Sequence, residues 1–177
     1  MALIVEDGTG TLAAESYASV TDADTYLANR GLTLWAALST AAKEQALRLA
    51  TDYMLQVYRQ RWNGTRVTNV QTLDWPRYLV PKKDSPGSYR ALPSYYGYTI
   101  VPDEVKAAAA MLAYRSATGT DLAPDVQQPV TSESVGPITV TYAVGARQVV
   151  RFQAVDHILA PLLKDNGSGS RAALLRG

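Results

Sequence analysis

Residues 40–59 carry the pattern that most constrains the fold. Apolar side chains recur there at three- and four-residue spacings, which places them on one face of an α-helix: Ala46, Ala50, Tyr53, Met54 and Val57. Another face carries charges at four-residue spacing: Glu44, Arg48 and Asp52. An amphipathic helix of this length has to bury its apolar face, so the pattern predicts a mainly helical fold packed around it.

Three further helices are predicted from their boundary signals. The first covers about 22–30, with Thr21 as N-cap, acidic residues in the first turn and Gly31 after its end. The second covers about 102–118, begins at Pro102 and is rich in alanine, which indicates close packing against another helix. The third covers about 152–164, where Pro161 is expected to bend or shorten it. The predicted fold is therefore a small bundle of about four helices.

The remaining segments are expected to be extended or irregular. Residues 3–5 and 16–20 are predicted as short extended segments flanking a glycine-containing turn. Within 132–142, apolar and threonine residues alternate as in a half-buried strand, whose partner is either residues 147–151 or another subunit. Residues 78–100, rich in proline, glycine and tyrosine, are predicted to be a long irregular loop inserted in the domain.

The step Trp75-Pro76-Arg77 lies outside every helical pattern. Proline restricts its own φ and pushes the preceding residue toward extended geometry, so Trp75 has to project from a strand or turn. We expect this segment to be a structural anchor at the entrance to the long loop, with Trp75 buried against the helices. Arg77 is expected to be free to pair.

Composition restricts the class of protein. The chain has 177 residues, no cysteine, and 17 Lys and Arg against 16 Asp and Glu, for a formal net charge of +1. One domain covering residues 1–165, followed by a tail at 166–177, accounts for this length. Disulfides and cysteine metal sites are excluded. The scattered basic residues disfavour a general nucleic-acid binder, and no export signal or membrane-spanning pattern is seen.

No catalytic constellation is found. His157 is the only histidine and lies beside Asp156, without a nucleophile motif. The Gly8-x-Gly10 pair lacks the rest of a dinucleotide-binding motif, and a phosphate-binding loop motif is absent. The sequence therefore predicts a protein that is not an enzyme, without catalytic residues, cofactor or metal.

Two groups of residues are candidates for interaction. In the loop, tyrosines lie close to lysines: Tyr95, Tyr96, Tyr98, Lys82 and Lys83. They suit a protein interface, and aromatic rings beside cations also suit a single strand of nucleic acid, so both interpretations stay open, with the interface favoured. The tail carries a short apolar segment between arginines, which suits either an arm for a partner or a frayed terminus: Arg171, Leu174, Leu175 and Arg176.

Several motifs, in order along the chain, resemble one family. They are residues 2–10, 14–17, 19–20 and 50–53, Trp62-x-Gly64, Gln71-x-Leu73-x-Trp75-Pro76-Arg77, residues 100–102 and Val135-Gly136-Pro137-Ile138-x-Val140-x-Tyr142. Together they resemble tailed-phage and prophage proteins often labelled "putative DnaT-like single-stranded DNA-binding protein". Such proteins are similar to head-tail connectors, also called adaptor or head-completion proteins.

This resemblance implies a structural virion protein in the neck of a bacteriophage, assembled in the bacterial host cytoplasm. Its copies would form a ring, typically a dodecamer, under the portal. Its partners would be itself, the portal protein and a tail terminator, stopper or other tail protein, while packaged double-stranded DNA passes through the lumen without sequence-specific binding. The tail would dock on the portal. The alternative that the resemblance leaves open is a single-stranded DNA-binding protein of a phage or prophage.

Overall fold

The computed structural model describes residues 2–83, 94–124, 132–135, 138–141 and 151–164. Their helices are α1 (Val20–Ala28), α2 (Thr40–Tyr58), α3 (Asp103–Ala117) and α4 (Gln153–Leu159), with 3-10 turns at Thr33–Trp35 and Ala160–Leu162. Their strands are β1 (Thr65–Arg66), β2 (Arg77–Tyr78), β3 (Ser132–Val135) and β4 (Ile138–Thr141). The predicted fold class, mainly α with about four helices and a β-hairpin, is confirmed.

Helix α1 begins two residues before its predicted start. Ser19 is the N-cap: its hydroxyl accepts from the Asp22 N–H at 3.0 Å, and the Asp22 carboxylate accepts from the Ser19 N–H at 3.1 Å. This reciprocal capping box satisfies two N–H groups that the helix cannot satisfy itself. Thr21, predicted as the cap, lies inside the first turn.

Helix α3 is the centre of the core and packs against α1, α2 and α4. Ala108, Ala109 and Ala110 are consecutive and buried, so the small side chains of α3 meet neighbours on more than one side. This arrangement agrees with the predicted close packing of the alanine-rich helix, because small side chains let the axes of neighbouring helices come close together.

The buried face of α2 differs from the predicted one at its C-terminal end. Val57 is exposed, whereas Leu47 and Tyr58 are buried. The reason is that Tyr58 continues the stripe of Met54 by one turn and packs its ring against Trp62, with centroids 5.8 Å apart.

The last helix is shorter than predicted. α4 ends at Leu159, and Pro161 lies in the 3-10 turn that follows, as expected for a residue that lacks an N–H donor. The chain beyond it returns to the segment after α2, where Asn63 N–H donates to Leu162 at 3.0 Å and Lys164 N–H donates to Arg61 at 2.7 Å.

The strand predicted within 132–142 is present as a hairpin. β4 pairs antiparallel with β3, from Ser132 opposite Thr141 to Val135 opposite Ile138. Its partner is therefore the segment immediately before it rather than residues 147–151, because only positions 136 and 137 separate the two strands.

Backbone hydrogen bonds connect the two ends of the predicted loop at 78–100. Tyr78 belongs to β2, which pairs antiparallel with β1, and further along the Lys82 N–H donates to the Ser94 carbonyl at 2.8 Å. The Tyr96 N–H donates to the Val80 carbonyl at 2.9 Å. We call residues 78–82 and 94–98 the two arms. They run antiparallel, and residues 84–93 of the predicted loop lie outside the described part of the chain.

Candidate functional site

The two arms bring tyrosines that are distant in sequence onto one surface. Pro81 is opposite Tyr95 in an antiparallel bridge. Continuing that register outward places Tyr78 opposite Tyr98. We call Tyr78 and Tyr98 the tyrosine surface; both side chains are exposed, as is that of Tyr95.

Tyr78 and Tyr98 form a ring pair at the surface. Their centroids are 4.9 Å apart and their planes differ by 34°. Tyr78 is 40% exposed and Tyr98 is 53% exposed, so the pair covers one face of each ring and leaves substantial aromatic area in contact with solvent. Such area is available to a flat ligand.

Tyr96, unlike the exposed tyrosines, is held by two side chains, one bound to its hydroxyl and one lying over its ring. Its hydroxyl donates to Glu104 Oε1 at 2.9 Å, and Lys82 Nζ lies 5.2 Å from its ring centroid. Burial, together with the bond to Glu104, raises the pKa of Tyr96 from 10.0 to about 12. The phenol is therefore protonated at neutral pH and fixes the second arm to the start of α3.

An open cleft of about 1140 Å³ lies beside the arms. Its charged and titratable lining mixes both signs: Lys82, Lys83, Lys106, His157, Asp7, Asp103 and Glu104. Lys82 is exposed and Lys106 is half-buried, whereas Lys83 Nζ donates to the Leu163 carbonyl at 3.3 Å. The predicted residues Lys82, Lys83 and Tyr96 therefore come together in the cleft, on a different part of the arms from the ring pair.

Trp75 lies two residues before β2, with none of its surface exposed. Its indole meets that of Trp62 edge to face, with centroids 5.7 Å apart and planes at 84°. The Trp75–Pro76 peptide bond is cis. Among the described residues, no hydrogen-bond partner is found for the Nε1 of either indole.

Arg77 is not free to pair, contrary to the prediction. Its guanidinium donates to the carbonyls of Asn63 at 2.7 Å, Gly64 at 2.7 Å and Asp74 at 3.0 Å. Burial lowers the pKa of Arg77 from its ordinary value. A buried guanidinium needs hydrogen-bond acceptors for its several N–H donors. The tight turn before β1 provides two of them as backbone carbonyls. Arg77 thereby ties β2, and with it Tyr78, to that turn.

The N-terminal turn supports the other arm. The Glu6 carboxylate accepts from the N–H groups of Gly8, Gly10 and Thr11, each at 2.9 Å. Gly8 has φ +100°, and a Cβ at this position would lie 2.1 Å from the Thr99 carbonyl oxygen. The turn therefore packs directly against the backbone that follows Tyr98.

Sequence reasoning missed Tyr78 and Lys106 as members of this region. Their placement depends on strand register and helix packing between distant segments; the one local signal was that Tyr78 directly follows the Trp-Pro-Arg step. The predicted tail residues, Arg171, Leu174, Leu175 and Arg176, lie outside the described residues. His157 is exposed at the cleft rim.

The described residues contain neither a candidate metal site nor a candidate membrane-spanning helix. In that part of the chain, no group of three or more His, Asp or Glu side chains could hold a metal ion. None of its helices combines the length and apolar character needed to cross a membrane.

Comparison with protein families gives one match, over the whole chain. The model of the family described as "Putative DnaT-like ssDNA binding protein" matches residues 1–177, and the chain belongs to this family. Comparisons with curated proteins and with solved structures gave no match.

The family match corrects the main functional expectation from the sequence. It supports single-stranded DNA binding, which was the alternative, and not a head-tail connector, a portal or tail partner, or a dodecameric ring. The scattered basic residues and the formal charge of +1 disfavour DNA binding, and the cleft lining is also mixed in charge, so the correction rests on the family match. The virion location and the absence of enzymatic activity stay predictions.

Proposed function

We propose that this chain binds single-stranded DNA at the tyrosine surface, with lysines of the adjoining cleft contacting the phosphates. The observation that carries the proposal, in a chain of this family, is the exposed ring pair of Tyr78 and Tyr98. Single strands without defined sequence are held by aromatic rings on which bases stack, next to cations that follow the backbone.

The geometry of the ring pair restricts how a base can bind. Inserting a base between two rings requires their planes to be about 7 Å apart, twice the ordinary contact distance between ring atoms. The observed centroid distance of 4.9 Å is too short for that. A base therefore stacks on an outer face of the pair and extends it, which suits a strand whose bases are already unpaired.

The phosphate contacts are few. Lys82 is the last residue of the first arm, and Lys106 reaches the same cleft from α3. Asp103 and Glu104 lie in the first turn of α3 and repel phosphate, so the backbone has to keep to the lysine side. With two or three phosphates neutralised, the logarithm of the binding constant should fall with the logarithm of salt concentration with a slope of about −1.5 to −2.

The test measures binding of a fluorescein-labelled oligothymidylate by anisotropy at low salt. Tyr98→Ala should weaken binding by about 5- to 150-fold, the range expected for loss of one base stack, whereas Tyr98→Phe keeps the ring and should bind nearly as well. Leu49→Ala is the matched control, because Leu49 is 54% exposed but lies on α2, in a depression whose other lining residues include Ser116 and Leu122 and no residue of either arm.

Lys82→Ala and Lys106→Ala should each make the salt slope less steep by about 0.7. The proposal fails if the unaltered protein does not bind the strand at low salt, or if Tyr98→Ala binds as tightly as Leu49→Ala.

A further inference from the structure

Leu79, between Tyr78 and Val80, has a backbone conformation that leucine rarely adopts. Its φ is +57°, and it is the only non-glycine residue with positive φ among those the structure describes. In this left-handed region a Cβ crowds the following carbonyl, so glycine is the residue that ordinarily occupies it.

The conformation changes which side chains reach the surface. Side chains alternate between faces along a regular strand. Here Arg77 is buried, Tyr78 and Leu79 are both exposed, and Val80 is buried. The left-handed residue therefore shifts the alternation by one position and places an apolar side chain, 67% exposed, directly beside Tyr78.

Glycine would make the same turn without strain and without exposing an apolar side chain. The fold alone thus gives no reason for leucine at this position. Residues held in strained conformations concentrate where a function requires the side chain. The neighbouring feature at this point of the surface is the stacked pair of Tyr78 and Tyr98.

We propose that Leu79 is a specificity residue for single-stranded over duplex DNA. This inference rests on the proposed function of the tyrosine surface. While one base stacks on the ring pair, the Leu79 side chain packs against the next base along the strand and occupies the step between the two. Apolar side chains inserted between base steps of duplex DNA partly unstack the step, at a cost of a few kcal/mol.

Leu79 favours the single strand because the two forms of DNA have to lose different interactions before they can bind. When Leu79 lies between two consecutive bases, a single strand loses only the stacking between those two bases. A duplex has to lose base pairing as well before its bases can reach the rings, so it binds less tightly. Removing the Leu79 side chain should therefore reduce the affinity for single-stranded DNA. The ratio of the affinities for single-stranded and duplex DNA should fall with it.

The experiment compares Leu79→Gly with Leu79→Met, which keeps a long apolar side chain. Anisotropy is measured with an oligonucleotide of mixed sequence, alone and annealed to its complement, and the urea midpoint of each variant is recorded. We expect Leu79→Gly to lower affinity for the single strand and the single-strand to duplex ratio, each by about tenfold. We expect its urea midpoint to be unchanged or raised. Leu79→Met should keep most of both affinity and ratio.

Leu79→Gly binding like the unaltered protein, while Tyr98→Ala does not, would overturn the specificity role of Leu79 and leave the DNA-binding function in place. A lowered urea midpoint with loss of affinity for both DNA forms would assign Leu79 a structural role instead. Absence of binding by the unaltered protein would overturn both proposals.

Discussion

Replacing Trp75 by alanine tests whether the Trp-Pro-Arg segment holds the fold together. Its side chain is completely buried, and burial of this kind makes truncation of a tryptophan cost about 3–5 kcal/mol. Loss of the edge-to-face contact with Trp62 adds about 0.5–1.5 kcal/mol. Removal of an indole N–H that has no partner among the described residues recovers about 1 kcal/mol. The expected loss in the free energy of unfolding is therefore about 4 kcal/mol.

A phenylalanine at the same position separates packing from hydrogen bonding. Trp75→Phe keeps an aromatic ring against Trp62 and removes the unpartnered N–H, so it should cost less than about 1.5 kcal/mol. The matched control is Trp35→Phe, because Trp35 is equally buried but its Nε1 donates to Asp24 at 2.6 Å. Breaking that bond should make the control about 1–3 kcal/mol more costly than Trp75→Phe.

Urea unfolding followed by far-UV circular dichroism measures all three variants, with the slope of each transition checked against the unaltered protein. A loss below about 2 kcal/mol for Trp75→Ala would show that the surroundings collapse into the space and that the segment is not an anchor. If Trp75→Phe proved as costly as Trp35→Phe, the Trp75 N–H would have to be hydrogen-bonded in solution, and the reasoning from its burial would be refuted.

Three further outcomes are expected. Gly8→Ala should lower both the urea midpoint and the affinity for single-stranded DNA, because its Cβ would collide with the Thr99 carbonyl next to the tyrosine surface; binding that is unaffected would separate the turn from the surface. The stabilisation that depends on the protonated Tyr96 phenol should be complete below about pH 10 and lost as the pH rises through about 12, since the unfolded phenol ionises first; alkaline unfolding of Tyr96→Phe should lack this component. Ser19→Ala should cost about 1 kcal/mol in the free energy of unfolding, whereas Thr21→Ala should be nearly neutral, and equal urea midpoints would contradict the assigned cap.

Local chemistry made the helices predictable. The start of α3 could be placed within one residue because Pro102 and the acids after it are signals that act within one turn. The start of α1 was misplaced because Ser19 and Thr21 are both good caps, and only the reciprocal bond with Asp22 decides between them.

The candidate site was less predictable because it depends on register between distant segments. Lys82 and Tyr96 were identified from composition, but their contact requires the two arms to pair. Tyr78 could not be matched with Tyr98 without that register. The prediction that Arg77 is free to pair is wrong for a related reason. Its acceptors are backbone carbonyls, and the sequence does not indicate which carbonyls lie close to a given side chain.

The central position of α3 has a consequence for how the protein is made. α2 ends at Tyr58 and α3 begins at Asp103, so a ribosome synthesises α2 well before the helix that covers its apolar face. At a synthesis rate of about 5–20 residues per second, the apolar face of α2 stays uncovered for several seconds. Contacts so far apart in sequence also slow folding itself. The nascent chain is therefore most exposed to aggregation and to chaperones in this interval, and synthesis of the buried alanines of α3 ends it.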